Sequence, residues 1–180
     1  LAGVRAFLIV PIGGGGRVYC YADQASSCAI DDVRTGRLER LQRLFDDFAE
    51  PVRAALANVE SSDAIHCAPI EDVAHAQTAL ASVVLIGDAS HAMSPNMACG
   101  VAMALEDALV LADTLHDIGD ATQIATAFAR RRSARVEWVR AQTDQRDRMR
   151  GLPSLIRDLS LRLFASRIYR NNYQPLLLLA

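Results

Sequence analysis

The first third of the chain alternates between apolar runs and glycine-rich or polar segments. Residues 5–12 and 17–22 are rich in apolar, β-branched and aromatic side chains, and four glycines at 13–16 separate them. Two such runs around a glycine cluster predict a β-hairpin. A phosphate-binding loop is not expected here, because a glycine loop of that kind opens a helix, whereas a second strand follows these glycines.

Helical spacing dominates from Gly36 onward. Apolar side chains recur at steps of three and four, which predicts helices with one buried face each. The predicted helices are the segment around 38–48, then 52–59, the helix that opens at Gly100, the helix over 121–148 with Asp120 as its N-cap, and an amphipathic helix from about residue 155. Short apolar runs predict strands at 64–70 and 83–86. The expected packing face of the helix at Gly100 consists of Val101, Leu105, Ala108, Leu109, Ala112 and Leu115.

Composition places the chain among globular proteins and away from nucleic-acid binders. Of its 180 residues, 51% are hydrophobic and 22% are charged, and the net charge is −2. The basic run at 130–132 is expected to be a solvated helix face. The four cysteines form no CxxC pair, so no metal site is predicted. Neither a membrane-length apolar run nor a signal peptide is evident, so a cytoplasmic location is expected, and the start at Leu1 suggests a cut chain.

The most informative stretch covers residues 83–115. A buried-type strand at 83–86 meets Gly87 and Asp88, crosses a loop through Pro95, and enters a helix at Gly100. The glycine permits close approach of a ligand, and the carboxylate can accept hydrogen bonds from hydroxyl groups. The helix start offers unpaired amides to an anion or a polarised carbonyl. This order of groups predicts a ligand site.

The same stretch resembles the second flavin-binding motif of the single-component FAD-dependent aromatic hydroxylases. Residues 87–91, Gly-Asp-Ala-Ser-His, are similar to the family's GDAAH element. Pro95 and Asn96 with Gly100 are similar to PNxGQG, and residues 106–108 match EDA. Looser similarity across the rest of the chain points to the salicylate-hydroxylase-like or urate-hydroxylase-like branch.

This resemblance implies a cofactor, a reaction and roles for individual residues. The cofactor-binding residues are expected to be Gly87, Asp88, Pro95, Gly100 and Val101. Asp88 would hold the ribityl chain of FAD, the Pro95 loop would run beside the isoalloxazine ring, and the Gly100 and Val101 amides would face its N1/O2 edge. The implied enzyme uses NAD(P)H and O2 to hydroxylate an aromatic or heteroaromatic small molecule, with no catalytic side chain from this chain and no metal.

The chain also departs from the family pattern. Ala98 and Cys99 replace the usual Gly-Gln, and Ala102 replaces a residue that is often polar. The N-terminal GxGxxG unit and the family's middle acidic-glycine motif are absent from these residues. The chain is therefore expected to supply the second half of the FAD site only. Its expected partners are the substrate and the N-terminal FAD-binding segment, in cis or as a separate chain; no nucleic acid and no transmembrane segment are expected.

The predicted fold is α/β, more narrowly an α+β piece. It is a partial FAD/NAD(P)-binding-type fold with a mostly antiparallel substrate-side sheet and C-terminal helices, lacking the GxGxxG unit. The predicted parts are residues 1–81, the substrate-side sheet with one helical insertion; 82–118, the second flavin-binding strand, loop and helix; and 119–180, the C-terminal helices.

Other functions stay open on the sequence alone. One is a non-catalytic fragment or subunit that needs a separate nucleotide-binding chain. Within the flavin class, a reductase or an epoxidase of an apolar substrate is possible. From a different class, Ser90, His91 and Asp88 could form a hydrolase site, although no nucleophile-elbow pattern surrounds them.

Overall fold

The computed structural model describes residues 5–25, 33–74, 79–80 and 83–178. The chain divides into two compact units, Leu1–Pro69 and Ile70–Ala180. Helices and two small antiparallel sheets make up both units together, in agreement with the predicted mixture of helix and sheet.

The first unit opens with the predicted hairpin. Strand β1 (Arg5–Pro11) pairs antiparallel with β2 (Val18–Gln24), from Arg5 opposite Gln24 to Pro11 opposite Val18. The glycine-rich connection is closed by the Ile12 amide, which donates to the Arg17 carbonyl at 3.0 Å. Several of its glycines have positive φ, which is the reason a glycine run suits this turn.

Two short helices pack near the hairpin in the same unit. They are α1 (Arg37–Leu44) and α2 (Glu50–Ala57). Phe45, fully buried, contacts Phe7 and Phe48 edge to face, with ring centroids 5.1 and 4.9 Å apart. Arg5 of β1 covers the Phe48 ring and pairs with Asp47 at 2.7 Å. This aromatic cluster joins the hairpin to α1.

The strand predicted over 64–70 is wrong. A 3₁₀ turn spans Ser62–Ala64, and irregular chain follows it to Pro69. Ile65 has extended dihedral angles, but within the described ranges no strand pairs with it. An apolar run can favour extended backbone without forming a ladder, because a ladder also needs a partner edge.

The second unit carries the motif stretch. A small ladder joins β3 (Ala79–Leu80) to β4 (Val83–Val84), and α3 (Asp88–His91) follows. After a 3₁₀ turn at Pro95–Met97 come α4 (Gly100–Asp117), α5 (Ala121–Arg150) and α6 (Ser154–Leu178). The predicted N-cap is confirmed, since Asp120 accepts from the Thr122 amide at 2.9 Å. Among the described residues, no helix has both the length and the apolarity that a membrane crossing needs.

The core of this unit lies between α4 and α5. Met103, Val136 and Val139 are buried together, and Met93, Cys99 and Trp138 pack around them. The prediction that this face of α4 packs within the chain is wrong, because the helix turns a different face to α5. Its buried side chains are Met103, Asp107 and Thr114, whereas Val101 and Leu109 of the predicted face are 78% and 68% exposed.

Candidate flavin site

The turn at Gly87 connects the short β4 strand to α3, and its backbone requires glycine. Gly87 is buried and has φ 58° and ψ −143°, a combination that residues with a side chain rarely adopt. A Cβ placed on it would lie 3.2 Å from the Ala104 Cβ. Its carbonyl accepts the Ser90 and His91 amides at 2.9 and 3.0 Å, which starts α3. The turn therefore brings the end of the strand against α4.

Asp88 follows this turn and is exposed. Its carboxylate has no hydrogen-bond or ion-pair partner within the described part of the chain. A carboxylate in this state is ready to accept hydrogen bonds from a hydroxylated ligand. The predicted role of Asp88 toward the ribityl chain stays a prediction, and the geometry leaves the group available for it.

The start of α4 presents free amides. Its first backbone bond runs from the Met103 amide to the Cys99 carbonyl at 2.9 Å, so the amides of residues 100–102 have no carbonyl within the helix. The Cys99 side chain does not cap them. Gly100 and Val101 are exposed, and a Cβ on Gly100 would meet nothing within 4 Å. These donors and the positive end of the helix dipole suit an electron-rich carbonyl edge.

The Pro95 loop is held by the far end of α5. The Asn96 carbonyl accepts from Arg146 at 2.8 Å, and its side-chain oxygen accepts from Arg150 at 3.1 Å. The side-chain nitrogen of Asn96 donates to Ser94 Oγ at 3.0 Å and also to Asp147. With these bonds on both sides of its amide, Asn96 fixes the loop between α3 and α4.

Ala98 occupies the position where the aromatic hydroxylases that the chain resembles usually have glycine, and its backbone dihedral angles are ones that glycine favours. Its φ is 51° and its ψ is 30°, which is the left-handed region. A Cβ in this region costs about 1–2 kcal/mol. The loop thus keeps the shape that the glycine would favour, at a cost in stability.

We therefore expect Ala98→Gly to raise the free energy of unfolding by up to about 1 kcal/mol. Chemical denaturation followed by the fluorescence of Trp138, the single tryptophan, measures the change. Ala108→Gly, in the middle of α4, is the matched control and should lower stability by about 1 kcal/mol. A loss of stability in Ala98→Gly would contradict the strained backbone.

Cys99 closes the loop with a neutral thiol. Burial raises the pKa of this thiol, and the positive charges of Arg135 and Arg146 only partly oppose the rise. The thiol donates to the Met97 carbonyl, with sulfur and oxygen 3.1 Å apart. Cys99 therefore acts as a packing and hydrogen-bonding residue in the position where the family has glutamine.

The buried carboxylate of Asp107 binds residues of several elements around the candidate site. Asp107 Oδ2 lies 2.8 Å from the Gly87 amide nitrogen and 2.7 Å from His91 Nε2, and Oδ1 accepts from Arg132 Nε at 2.6 Å. We call these four residues the Asp107 cluster. Asp107, His91 and Arg132 are all buried. The cluster joins the Gly87 turn, α3, α4 and α5 through one side chain.

Glu106 adds a second ion pair next to this cluster. Arg135 donates to both of its oxygens, at 2.9 and 2.5 Å, and Arg132 donates to one of them at 3.1 Å. Burial raises the pKa values of Glu106 and Asp107, but their hydrogen bonds outweigh it and leave both pKa values below the ordinary range. For Asp107 those bonds come from His91, the Gly87 amide and Arg132. Both carboxylates are therefore ionised at neutral pH.

These lowered pKa values predict acid sensitivity. A carboxyl whose pKa is lower in the folded state contributes stability above its unfolded pKa and loses it as pH falls through the folded pKa. We expect the stability gap between the native chain and Asp107→Asn to be full at pH 7 and to narrow below about pH 4. Urea unfolding at a series of pH values measures the gap, and a gap independent of pH would contradict the assignment.

The geometry of the turn gives a further prediction. Gly87→Ala places a methyl group at a positive φ and against Ala104, and should cost about 1–3 kcal/mol of stability. Gly100→Ala is the matched control, since its Cβ has open space and alanine favours a helix by about 0.5–1 kcal/mol. Thermal unfolding of both variants separates them. Equal stability of the two would show that the turn is not constrained.

The structure does not assemble the hydrolase alternative. Ser90 is fully buried, and its hydroxyl has no hydrogen-bond partner in the described part of the chain. His91 pairs with Asp107 rather than with Asp88. A nucleophile needs a base within hydrogen-bond reach, and Ser90 is not bonded to His91. The interpretation of His91 as a structural histidine agrees with this arrangement.

The expectation of a solvated face at 130–132 is wrong for one of its three arginines. Arg130 and Arg131 are exposed, but Arg132 is 3% exposed and is bound to Glu106 and Asp107 of α4. The sequence contained a clue to this position. Arg132 and Arg135 share helical spacing with Phe128, Val136 and Val139, so they belong to the buried face of α5.

Comparison with protein families identifies the class of the chain. Residues 24–142 match the FAD binding domain family. The match covers more than half of the chain, so the chain belongs to this family, whose cofactor is FAD. The expected resemblance to FAD-dependent monooxygenases is confirmed by the curated relatives.

Three relatives illustrate the similarity. The chain is 38% identical over 106 residues to 2-heptyl-3-hydroxy-4(1H)-quinolone synthase of Pseudomonas aeruginosa (strain UCBPP-PA14), covering 58% of the chain and 27% of the relative. It is 35% identical over 131 residues to aurachin C monooxygenase/isomerase of Stigmatella aurantiaca, covering 73% and 33%. It is 35% identical over 111 residues to the chloroplastic zeaxanthin epoxidase of Prunus armeniaca, covering 61% and 17%.

The chain thus matches a third or less of the length of these relatives. No solved structure matches it with significance.

Proposed function

We propose that this chain supplies the second half of the FAD site of a single-component monooxygenase. The enzyme would use NAD(P)H and O2 to hydroxylate an aromatic or heteroaromatic small molecule. The proposal rests on two features that occur together in a chain of the FAD binding domain family. One is the exposed Asp88 carboxylate without a partner among the described residues, and the other is the set of unpaired amides at the start of α4. When bound, FAD supplies the redox chemistry.

Different residues of the chain would bind different parts of FAD. Asp88 would accept hydrogen bonds from the hydroxyl groups of the ribityl chain. Gly87 would place Asp88 toward the ligand through a turn that packs closely against Ala104 of α4, and the Pro95 loop, held by α5, would run beside the ring. The amides of Gly100 and Val101 would hold the N1/O2 edge of the flavin, and the positive end of the helix dipole would favour negative charge there.

The partner surface for this half-site would be the exposed side of α4. Leucine and valine side chains form a continuous apolar stripe there, which a monomeric protein rarely leaves uncovered. The stripe consists of Val101, Leu105, Leu109 and Leu115. We propose that the segment that binds the ADP part of FAD covers it, either in the same protein or in a separate chain. The limited share of each relative that this chain matches is consistent with that arrangement.

The substrate would be a planar ring with apolar substituents. Two relatives are a 2-heptyl-3-hydroxy-4(1H)-quinolone synthase and an aurachin C monooxygenase/isomerase, and their names support a heteroaromatic ring. The likeness to a zeaxanthin epoxidase favours epoxidation of an apolar substrate as the second candidate. Both use the same flavin site and differ only in what the pocket admits.

The full protein provides the test of the proposed function. It should purify with flavin absorbance near about 450 nm and should consume O2 with NADH or NADPH when a ring substrate is added. Phenols, purines, 4-quinolones and a carotenoid are the substrate panel. A colourless protein that FAD does not reconstitute would contradict the proposal and favour a non-catalytic subunit.

A further inference from the structure

The Asp107 carboxylate ties three parts of the second unit to one buried point. Its Oδ2 accepts a hydrogen bond from the Gly87 amide and lies within hydrogen-bond distance of His91 Nε2. Its Oδ1 accepts a hydrogen bond from Arg132 Nε. Asp107 itself belongs to α4, while these partners belong to the turn, to α3 and to α5. Asp107 is 0% exposed, so water cannot replace any of these three hydrogen bonds. The stability of the buried, ionised carboxylate therefore depends on its hydrogen bonds to the protein.

We infer that Asp107 is a positioning residue for FAD: its Oδ2 holds the Gly87 turn so that Asp88 faces the ligand, and Arg132 fixes the carboxylate. The inference rests on the proposed function, because it takes Asp88 as the group that binds the cofactor. Asp107 is fully buried and binds the Gly87 amide, so it would act on the ligand through the backbone of Gly87 rather than by direct contact.

The first argument is the conformation of the turn. Glycine adopts φ 58° and ψ −143° without strain, but it can also adopt many other backbone conformations, so neighbouring groups must hold it in this one. Here the Gly87 amide donates to Asp107, and the Gly87 carbonyl accepts from the Ser90 and His91 amides of α3. The hydrogen bond from the Gly87 amide to Asp107 links the turn to α4, whereas the hydrogen bonds to the Gly87 carbonyl come from residues three and four positions along the chain. Without Asp107, rotation about Gly87 would redirect Asp88.

The second argument is the match of donors and acceptors. The Gly87 amide and Arg132 Nε can only donate, so both oxygens of Asp107 must accept. His91 Nε2 then carries its proton and donates to the same Oδ2. Only an ionised carboxylate offers acceptors on both sides. An asparagine has the same shape but would turn an NH2 group toward one of these donors.

Asp107→Asn in the full protein tests this role. We expect its FAD dissociation constant to rise at least about 10-fold, which corresponds to the loss of a hydrogen bond to a charged group. Amide hydrogen exchange in the peptide over 83–91, measured without FAD, should also speed up about 10-fold because the turn opens. Phe128→Leu is the control, since it disturbs a buried side chain of α5 outside the Asp107 cluster. It should lower the melting temperature and leave both readouts at their native values.

Two results would overturn the inference. One is native FAD affinity and native exchange in Asp107→Asn. The other is an equal loss of affinity in Phe128→Leu, which would mean that any loss of stability weakens FAD binding. If Asp107→Asn does not fold, His91→Phe replaces it, with a smaller change of both readouts in the same direction; no change in either would also overturn the inference. Failure of the proposed function is distinguishable, because the native protein would then bind no FAD.

Discussion

Asp88→Ala in the full protein should raise the FAD dissociation constant about 10- to 100-fold while leaving the melting temperature unchanged. The size of the effect follows from the loss of hydrogen bonds between ligand hydroxyls and a charged acceptor. The unchanged stability follows from the structure, because Asp88 is exposed and its side chain has no partner in the described part of the chain. A pure binding defect is thus expected, without a folding defect.

Titration of the apoprotein with FAD, followed by flavin fluorescence, measures this effect. Asp113→Ala provides the control, because Asp113 is also exposed and lies on α4, away from its N-terminal end. It should bind FAD with native affinity. Equal affinity in the two variants would remove Asp88 from the site.

Arg132→Met should lower the free energy of unfolding by about 3–5 kcal/mol, since it leaves the buried Asp107 carboxylate without its arginine partner. The Arg132 side chain is 4% exposed and binds Asp107, Glu106 and the Met103 carbonyl. Methionine fills much of the same volume, so the loss reflects the charge and hydrogen bonds rather than a cavity. This is the largest stability effect that the ion pairs of the second unit predict.

The neighbouring arginine offers a matched comparison. Arg131 pairs with Asp117 at 2.8 Å, and the two side chains are 38% and 51% exposed. Arg131→Met should therefore cost no more than about 1 kcal/mol. Urea denaturation of both variants gives the two numbers. If both variants lost a similar free energy of unfolding, burial would not explain why the ion pairs of Arg132 are expected to stabilise the protein more than the exposed pair of Arg131.

Much of the local structure could be predicted from the sequence because it depends on neighbouring residues. The hairpin follows from two apolar runs around the glycines, and the start of α5 follows from Asp120 two residues before the amide that it caps. The order of strand, turn, loop and helix around Gly87 is also local. Each of these features is decided within a few residues, so periodicity and capping are sufficient to find them.

The side of each helix that is buried could not be predicted in the same way. Helix α4 has one apolar stripe, which contains Leu105 and Leu109, yet its other side packs on α5. That side contains Asp107, whose partners are 16 to 25 residues away. Charge alone predicts exposure, and only the pairing of Asp107 with Arg132 makes its burial possible.

Amide exchange at the start of α4, with and without FAD, tests the central claim most directly. The amides of residues 100–102 have no partner within the helix, so they should exchange rapidly in the apoprotein. If this helix start faces the flavin, saturating FAD should slow their exchange, and Asp88→Ala should restore fast exchange at the same FAD concentration. FAD that binds, as its absorbance shows, without slowing exchange at these three amides would contradict the claim that this chain forms the second half of the flavin site.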